Sequence, residues 1–186
     1  GREAEQVQIA LRAAGVGSAV NSRDSVFDAE EAADLAAVLD AVLDPRDERL
    51  ARRALASPLW GTTAAELDAL LRDEEAWEER VSALWDYRRS WVTAGFMPMF
   101  RRWLRREGIA ARLLARPAGE RTVTNLLHLA ELLQQAAREH ATPEALRQWL
   151  ADAMAGRSDL GEAKELRLES DENLVQIVTQ HKSKGL

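Results

Sequence analysis

Cysteine is absent from the 186 residues of this chain. Disulfide bonds and thiolate metal sites are therefore excluded, and the composition is compatible with a reducing, cytoplasmic setting. Long apolar runs are also lacking, because Asp, Glu or Arg interrupts each of them, and the sequence predicts no membrane-spanning helix. Hydrophobic residues at 46% and charged residues at 30% are instead typical of one globular domain with a substantial core.

The motifs of common catalytic sites are missing as well. No G-x-x-x-x-G-K-[ST] sequence occurs, so the chain has no loop that could hold the phosphates of ATP by itself. Neither a Ser/His/Asp set with a supporting motif nor a carboxylate cluster indicating a nuclease site is present. His128 has no second histidine at metal-site spacing, and a structural hydrogen bond is its favoured role. We expect no catalytic residue, metal site or cofactor within these 186 residues.

Negative charge outweighs positive charge, since 31 Asp and Glu residues stand against 25 Lys and Arg residues and the formal net charge is −6 at pH 7. A strong general nucleic-acid binder needs a surplus of Lys and Arg, so any contact with DNA must be local. The most compact basic cluster is formed by Arg101, Arg102, Arg105 and Arg106. A solvated helix face is the favoured interpretation of this cluster, and contact with DNA or a partner protein is the alternative.

Helical periodicity runs through most of the chain and predicts a mainly α fold. Capping-box patterns are predicted at Asp28 with Glu31 and at Thr63 with Glu66, and N-caps at Asp47 and Thr142. The predicted helices cover residues 3–14, 28–44, 48–56, 64–71, 74–93, 99–107, 120–140 and 143–155.

The helix predicted over residues 74–93 is the longest, and we expect it to be the central element. Gly95 and Pro98 are expected to separate it from the next helix. Five of the six tryptophans lie on apolar helical stripes, which predicts core packing rather than base stacking. Trp60, between Pro58 and Gly61, is the exception, and we expect it to be available for packing at an interface.

The last thirty residues change character. Residues 156–164 form a flexible-looking connector, and residues 166–168 and 174–179 then predict a hairpin with a four-residue turn. Beyond the second strand, Thr179, His181, Lys184 and Gly185 form a basic turn whose hydroxyl, imidazole and ammonium groups suit phosphates. From its chemistry alone, a solvated turn is the favoured interpretation and a phosphate-binding loop the alternative.

The sequence of residues 179–186, TQHKSKGL, resembles the T-x-H-x-x-K-G-L of motif V in superfamily 1 DNA helicases of the UvrD and Rep type. The resemblance implies that Thr179 and His181 contact the tracking strand of DNA. It also implies that Lys184 and Gly185 couple strand position to the nucleotide, together with a Glu that normally follows the motif in that family.

A second resemblance narrows the family, because residues 120–133 (ERTVTNLLHLAELL) resemble a helix of the RecB-type subunits of helicase-nucleases. The first sixteen residues are similar to the helix after motif IV. These likenesses imply a helical 2B-type insertion domain over residues 25–156. Residues 1–24 and 157–186 would then be pieces of the second RecA-like domain, the latter carrying a β-hairpin or strand remnant and the truncated motif V.

The activity implied by this resemblance belongs to a longer parent protein. That protein would be an ATP-dependent 3′ to 5′ DNA helicase and exonuclease that processes double-strand ends, with ATP and Mg²⁺ as cofactors. DNA and subunits of the RecC and RecD type would be its partners, and this segment would regulate without a catalytic site of its own. The alternatives are a stand-alone helical interaction module and the equivalent domain of an AddA- or UvrD-type helicase.

Overall fold

A computed structural model describes residues 25–157, together with the backbone of residues 18–20 and 175–177. Within that part of the chain a 3₁₀ turn, Val26–Asp28, precedes eight α-helices. These are α1 (Glu30–Leu43), α2 (Glu48–Leu55), α3 (Ala64–Arg72), α4 (Glu74–Ala94), α5 (Phe96–Arg106), α6 (Ile109–Leu114), α7 (Gly119–Ala136) and α8 (Pro143–Met154). The mainly α fold is thereby confirmed. None of the described helices is long and apolar enough to cross a membrane.

Two short strands accompany the helices. Strand β1 (Ser18–Val20) and strand β2 (Val175–Ile177) pair in parallel, with Ser18 opposite Val175. The first strand and the turn of the predicted hairpin lie outside the described residues, so the hairpin stays a prediction, as does the origin of the strands in a RecA-like domain. The chain divides into two compact units, one formed by Gly1–Ser25 with Asp159–Leu186 and the other by Val26–Ser158.

Helix α1 is the central element of the unit Val26–Ser158. Eight of its fourteen residues are buried, six of them alanines or valines whose small side chains let neighbouring helices approach closely. It contacts α2, α4, α7 and α8. The expectation that the longest helix is central is wrong, because only four residues of α4 are buried and its acidic first turns face solvent.

The N-termini of three helices follow the predicted capping chemistry. At α3 the Oγ1 of Thr63 accepts a hydrogen bond from the Glu66 amide at 3.2 Å, and Glu66 Oε2 accepts one from the Thr63 amide at 2.8 Å. The predicted caps of α2 and α8, Asp47 and Thr142, are also confirmed. The predicted capping box at Asp28 is wrong, because the chain makes a 3₁₀ turn there and Ala29 is the N-cap residue.

Helix α5 begins earlier than predicted. Gly95 has a φ of 91° and joins α4 to α5, whose first residue is Phe96. Pro98 lies inside the first turn, where a backbone amide has no helical acceptor, so its missing N–H costs nothing. The expected break at Pro98 is therefore wrong, and only Gly95 separates the two helices.

A row of aromatic rings joins α4, α5 and the loop after α2. Neighbouring ring centroids are 5.7 to 5.9 Å apart along the series Trp91, Phe96, Phe100, Trp103 and Trp60. Trp60 is only 4% exposed, so the expectation that it is available for an interface is wrong. Among the five tryptophans predicted in the core, Trp91 and Trp103 are buried, whereas the other three are half-buried.

An ion pair ties the last helix to the first. Both nitrogens of the Arg147 fork donate to Asp40, with Nε–Oδ1 at 2.7 Å and Nη2–Oδ2 at 2.9 Å. The two side chains are 20% and 22% exposed. A bidentate pair in this partly desolvated position fixes the orientation of α8 on α1 more strongly than a solvated pair does.

Candidate functional site

The arginine cluster lies on the outer side of α5. The core side of this helix carries Phe96, Met99, Phe100 and Trp103, all buried, at steps of three and four residues. The residues between them therefore face outward, and the structure places all four predicted arginines on the exposed surface. Apolar periodicity alone thus brings four cations together on eleven residues of helix.

Two of the four arginines face an acid on the neighbouring helix. Asp86 of α4 lies 3.3 Å from Nη1 of Arg106 and 3.9 Å from Nη2 of Arg102. The Arg106 guanidinium also lies 5.8 Å from the centre of the Tyr87 ring. Asp86 therefore partly neutralises this half of the cluster and restricts its reach.

The other two arginines, Arg101 and Arg105, form no ion pair within the part of the chain that the structure describes. Among residues 25–157, the side chains of Arg101 and Arg105 have no hydrogen bond, ion pair or ring contact. They are one helical turn apart, which places their Cβ atoms about 6 Å from each other. Their charges are thus available to an external anion.

Arg101 and Arg105 border a groove between α5 and α6. The groove has a volume of about 580 Å³, and its other lining residues are Leu104, Gly108, Ala110 and Ala111. Leu114 follows Ala110 by four residues on α6 and is 53% exposed, so it extends the apolar stripe. The combination is an aliphatic floor with cations on one rim.

A polar cluster beneath α5 holds the end of the helix against α4. Glu107 accepts hydrogen bonds from Arg80 Nη1 at 2.7 Å and from the Tyr87 hydroxyl at 2.5 Å, and its side chain is 10% exposed. Burial raises the pKa of Tyr87 far above its ordinary value, and the hydrogen bond to Glu107 adds to the effect. Tyr87 therefore stays protonated and acts as a donor at any physiological pH.

Two further arginines hold α6, the other wall of the groove. Arg112 Nη1 donates to the Glu107 carbonyl at 2.9 Å, and Arg116 Nη1 donates to the Pro58 carbonyl at 2.8 Å. Burial lowers the pKa of Arg112, and the nearby Arg116 charge lowers it further. Gly61 permits this close packing, because a Cβ there would lie 2.7 Å from Arg116 Nη2. The hydrogen bonds of Arg112 and Arg116, which we call the braced frame, therefore hold α6 in place as a wall of the groove.

The predicted motif V residues, Thr179, His181, Lys184 and Gly185, lie outside the described residues, so their proposed roles stay predictions. His128 is exposed, and the predicted structural hydrogen bond is not found between it and any other residue of 25–157. No group of three potential metal ligands occurs among the residues that the structure describes.

Sequence reasoning missed half of the groove. Helix α6 was not predicted, although Ile109 and Leu113, which come after Gly108, are four residues apart, as expected for one face of a helix. Both are buried. Asp86 and Glu107 were not singled out either. No local signal marks these two acids, because their partners come from other helices.

The chain is similar to RecB proteins over its whole length. It is 41% identical to RecBCD enzyme subunit RecB of Escherichia coli K12 over 186 residues, which are 100% of this chain and 16% of that protein. For RecB of Haemophilus influenzae the identity is 38%, covering 99% of this chain and 15% of that protein. For RecB of Mycolicibacterium smegmatis it is 34%, covering 100% and 17%. No family model matches the chain.

Proposed function

The chain belongs to the RecB family along all 186 residues, and from that premise we propose that it comprises the 2B-type helical insertion domain with flanking pieces of the second RecA-like domain. One observation carries this proposal. The two ends of the chain, Gly1–Ser25 and Asp159–Leu186, form one compact unit, and the helical part Val26–Ser158 forms another. A domain inserted into a second domain has this organisation.

The parent protein would be an ATP-dependent 3′ to 5′ DNA helicase and exonuclease that processes double-strand ends for recombinational repair. The chain spans about 16% of the length of the relatives that it matches, so this activity rests on the rest of the parent. Within it, Thr179 and His181 would contact the tracking strand, while Lys184 and Gly185 would couple that contact to ATP and Mg²⁺. Subunits of the RecC and RecD type would be its partners.

The helical domain would regulate this machine rather than catalyse a reaction. Its contact surface would be the α5 arginine cluster, Arg101, Arg102, Arg105 and Arg106, facing DNA or a partner protein. The support is that all four side chains are exposed, and that two of them have no partner among the described residues. Their position on a rigid helix suits a docking surface.

Nucleotide turnover and DNA binding test this proposal. We expect the 186-residue chain alone to show no ATPase activity, because it lacks a phosphate-binding loop. Its DNA affinity should be weak and fall by at most about 150-fold between 50 and 200 mM salt, as four phosphate contacts allow. The parent protein should unwind DNA with ATP, and His181→Ala should impair that activity. ATP turnover by the isolated chain at a helicase-like rate would refute the assignment.

A further inference from the structure

The groove between α5 and α6 has two chemical features that together restrict what can occupy it. One is the cationic rim of Arg101 and Arg105, whose charges have no counter-ion among residues 25–157. The other is the aliphatic floor, which the exposed Leu114 extends along α6. A suitable ligand must therefore carry negative charge beside apolar surface.

From these features we infer that the groove is the docking site of an acidic amphipathic segment of a partner protein. Asp or Glu side chains of that segment pair with Arg101 and Arg105, and an aliphatic or aromatic side chain packs on Ala111 and Leu114. Arginine is enriched in the cores of protein–protein interfaces, which suits the arginine side of the groove. The inference rests on the proposed function, since it names the kind of partner that the α5 arginine cluster contacts.

Duplex DNA fits the groove less well than a protein does. Phosphate backbone offers no apolar surface to cover the floor, and Asp86 already faces Arg102 and Arg106 at 3.9 and 3.3 Å. Two free arginines supply only a small part of the counter-ion release on which DNA affinity depends. The net charge of −6 opposes a polyanion as a whole, whereas a segment with two or three carboxylates meets only the local positive field.

The braced frame explains why such a site would be ready for docking. Arg112 and Arg116 fasten α6 through backbone carbonyls of Glu107 and Pro58, and Glu107 in turn joins α5 to α4. The groove walls therefore keep their spacing without a ligand. A preformed groove spares a partner the cost of ordering it.

Site-specific photo-crosslinking in the assembled parent complex tests the inference. p-Benzoyl-phenylalanine replaces Ala111, which lines the groove and is exposed, in the full-length subunit purified with its RecC- and RecD-type partners. We expect irradiation to join the probe to an Asp- or Glu-rich peptide of another polypeptide of the complex, identified by mass spectrometry. A crosslink to added DNA alone, to a segment without acids, or to no other polypeptide overturns the inference.

Charge reversal supplies the energetic half of the test. The double variant Arg101→Glu with Arg105→Glu should weaken assembly with the crosslinked partner by about tenfold or more, and Lys substitutions in the partner's acidic segment should restore it. The matched control reverses Arg121 and Arg138, two exposed arginines elsewhere on the same domain, and should leave assembly unchanged. Equal effects of the two double variants contradict a local docking site.

The two proposals fail in different ways. ATP-driven unwinding by the same purified complex reports on the proposed function, independently of the crosslink. A complex that unwinds DNA normally but yields no crosslink refutes only the docking inference. A complex with no ATP-dependent unwinding refutes the proposed function, whichever polypeptide is crosslinked to the probe.

Discussion

Replacing Gly119 by Ala should destabilise the domain strongly, because the start of α7 leaves no room for a methyl group. A Cβ at this position would lie 2.0 Å from the Leu113 carbonyl oxygen, 2.8 Å from the Leu113 carbonyl carbon and 3.0 Å from the Leu114 Cα. All three atoms belong to the backbone of α6, so no flexible side chain can yield. Relief of the clash requires α6, and with it the wall of the groove, to move.

The magnitude follows from the cost of overpacking. Forcing an extra methyl group into a close-packed site costs about 1–3 kcal/mol, and a rigid backbone neighbour places Gly119→Ala at the upper end of that range. The higher helix propensity of alanine returns at most about 1 kcal/mol in the first turn of α7. We therefore expect a net loss of about 2 kcal/mol in the free energy of unfolding.

The preceding residue offers the opposite effect. Ala118 has a φ of 59°, the left-handed region, which costs a residue with a Cβ about 1–2 kcal/mol. Ala118→Gly removes that strain but adds freedom to the unfolded chain, worth about 0.5–1 kcal/mol. The net result should be a gain of roughly 0.5 kcal/mol in the free energy of unfolding.

Urea unfolding followed by tryptophan fluorescence measures both changes, with the slope m expected to stay constant. Gly156→Ala is the comparison for backbone conformation, because Gly156 has a φ of 68° and a Cβ there would meet nothing within 4 Å, whereas Gly119 lies in a helix and has no positive φ. It reports the cost of the left-handed conformation, about 1–2 kcal/mol, without a clash. If Gly119→Ala leaves the free energy of unfolding unchanged or raises it, the close approach of α6 and α7 is not as described and the reasoning is wrong.

Two further changes probe the electrostatics of α1. Asp40→Asn should lower the free energy of unfolding by about 1–3 kcal/mol, because Arg147 keeps only one acceptor in a partly desolvated position. Asp152→Asn, which alters a more exposed pair with Arg157, should have a smaller effect by the same urea measurement, and equal effects would refute the importance of burial. Asp34→Asn should stabilise the domain at pH 7 by less than about 1 kcal/mol after allowance for solvent screening. Burial raises the pKa of Asp34 above its ordinary 3.8, and the charges of Glu30 and Glu31 raise it further. The free energy of unfolding of the wild-type chain therefore falls as the pH rises through the pKa that Asp34 has in the folded state, and the Asn variant lacks this fall. Below about pH 3.8, where Asp34 is protonated in both the folded and the unfolded state, the two free energies of unfolding should converge. A difference that is unchanged between pH 7 and pH 3 would contradict this assignment.

Several elements could be predicted because their signals are local. The capping pair of Thr63 and Glu66 and the Thr142–Pro143 start of α8 depend on residues within one helical turn, and the structure reproduces both. The exposed arginines of α5 follow in the same way from the apolar residues between them. Each of these features requires only the geometry of a single helix.

Other features could not be predicted, because they depend on contacts between distant helices. Trp60 looks uncommitted beside Pro58 and Gly61, yet the ring of Trp103, brought by α5, covers it. The length of α4 suggested a central position, but the shorter α1 is buried because four neighbouring helices pack around it. Propensity and periodicity carry no information about which helix the others surround.

The sequence by itself determined the helical class, most of the helix ends and the family of this chain, because caps, apolar periods and motifs are written in consecutive residues. Only the tertiary structure decided which arginines are free. Asp86 reaches Arg102 and Arg106 from another helix, while Arg101 and Arg105 border the groove that α6 completes. Charge becomes available for binding only where packing leaves it without a neighbour of opposite sign, and packing is a property of the assembled helices.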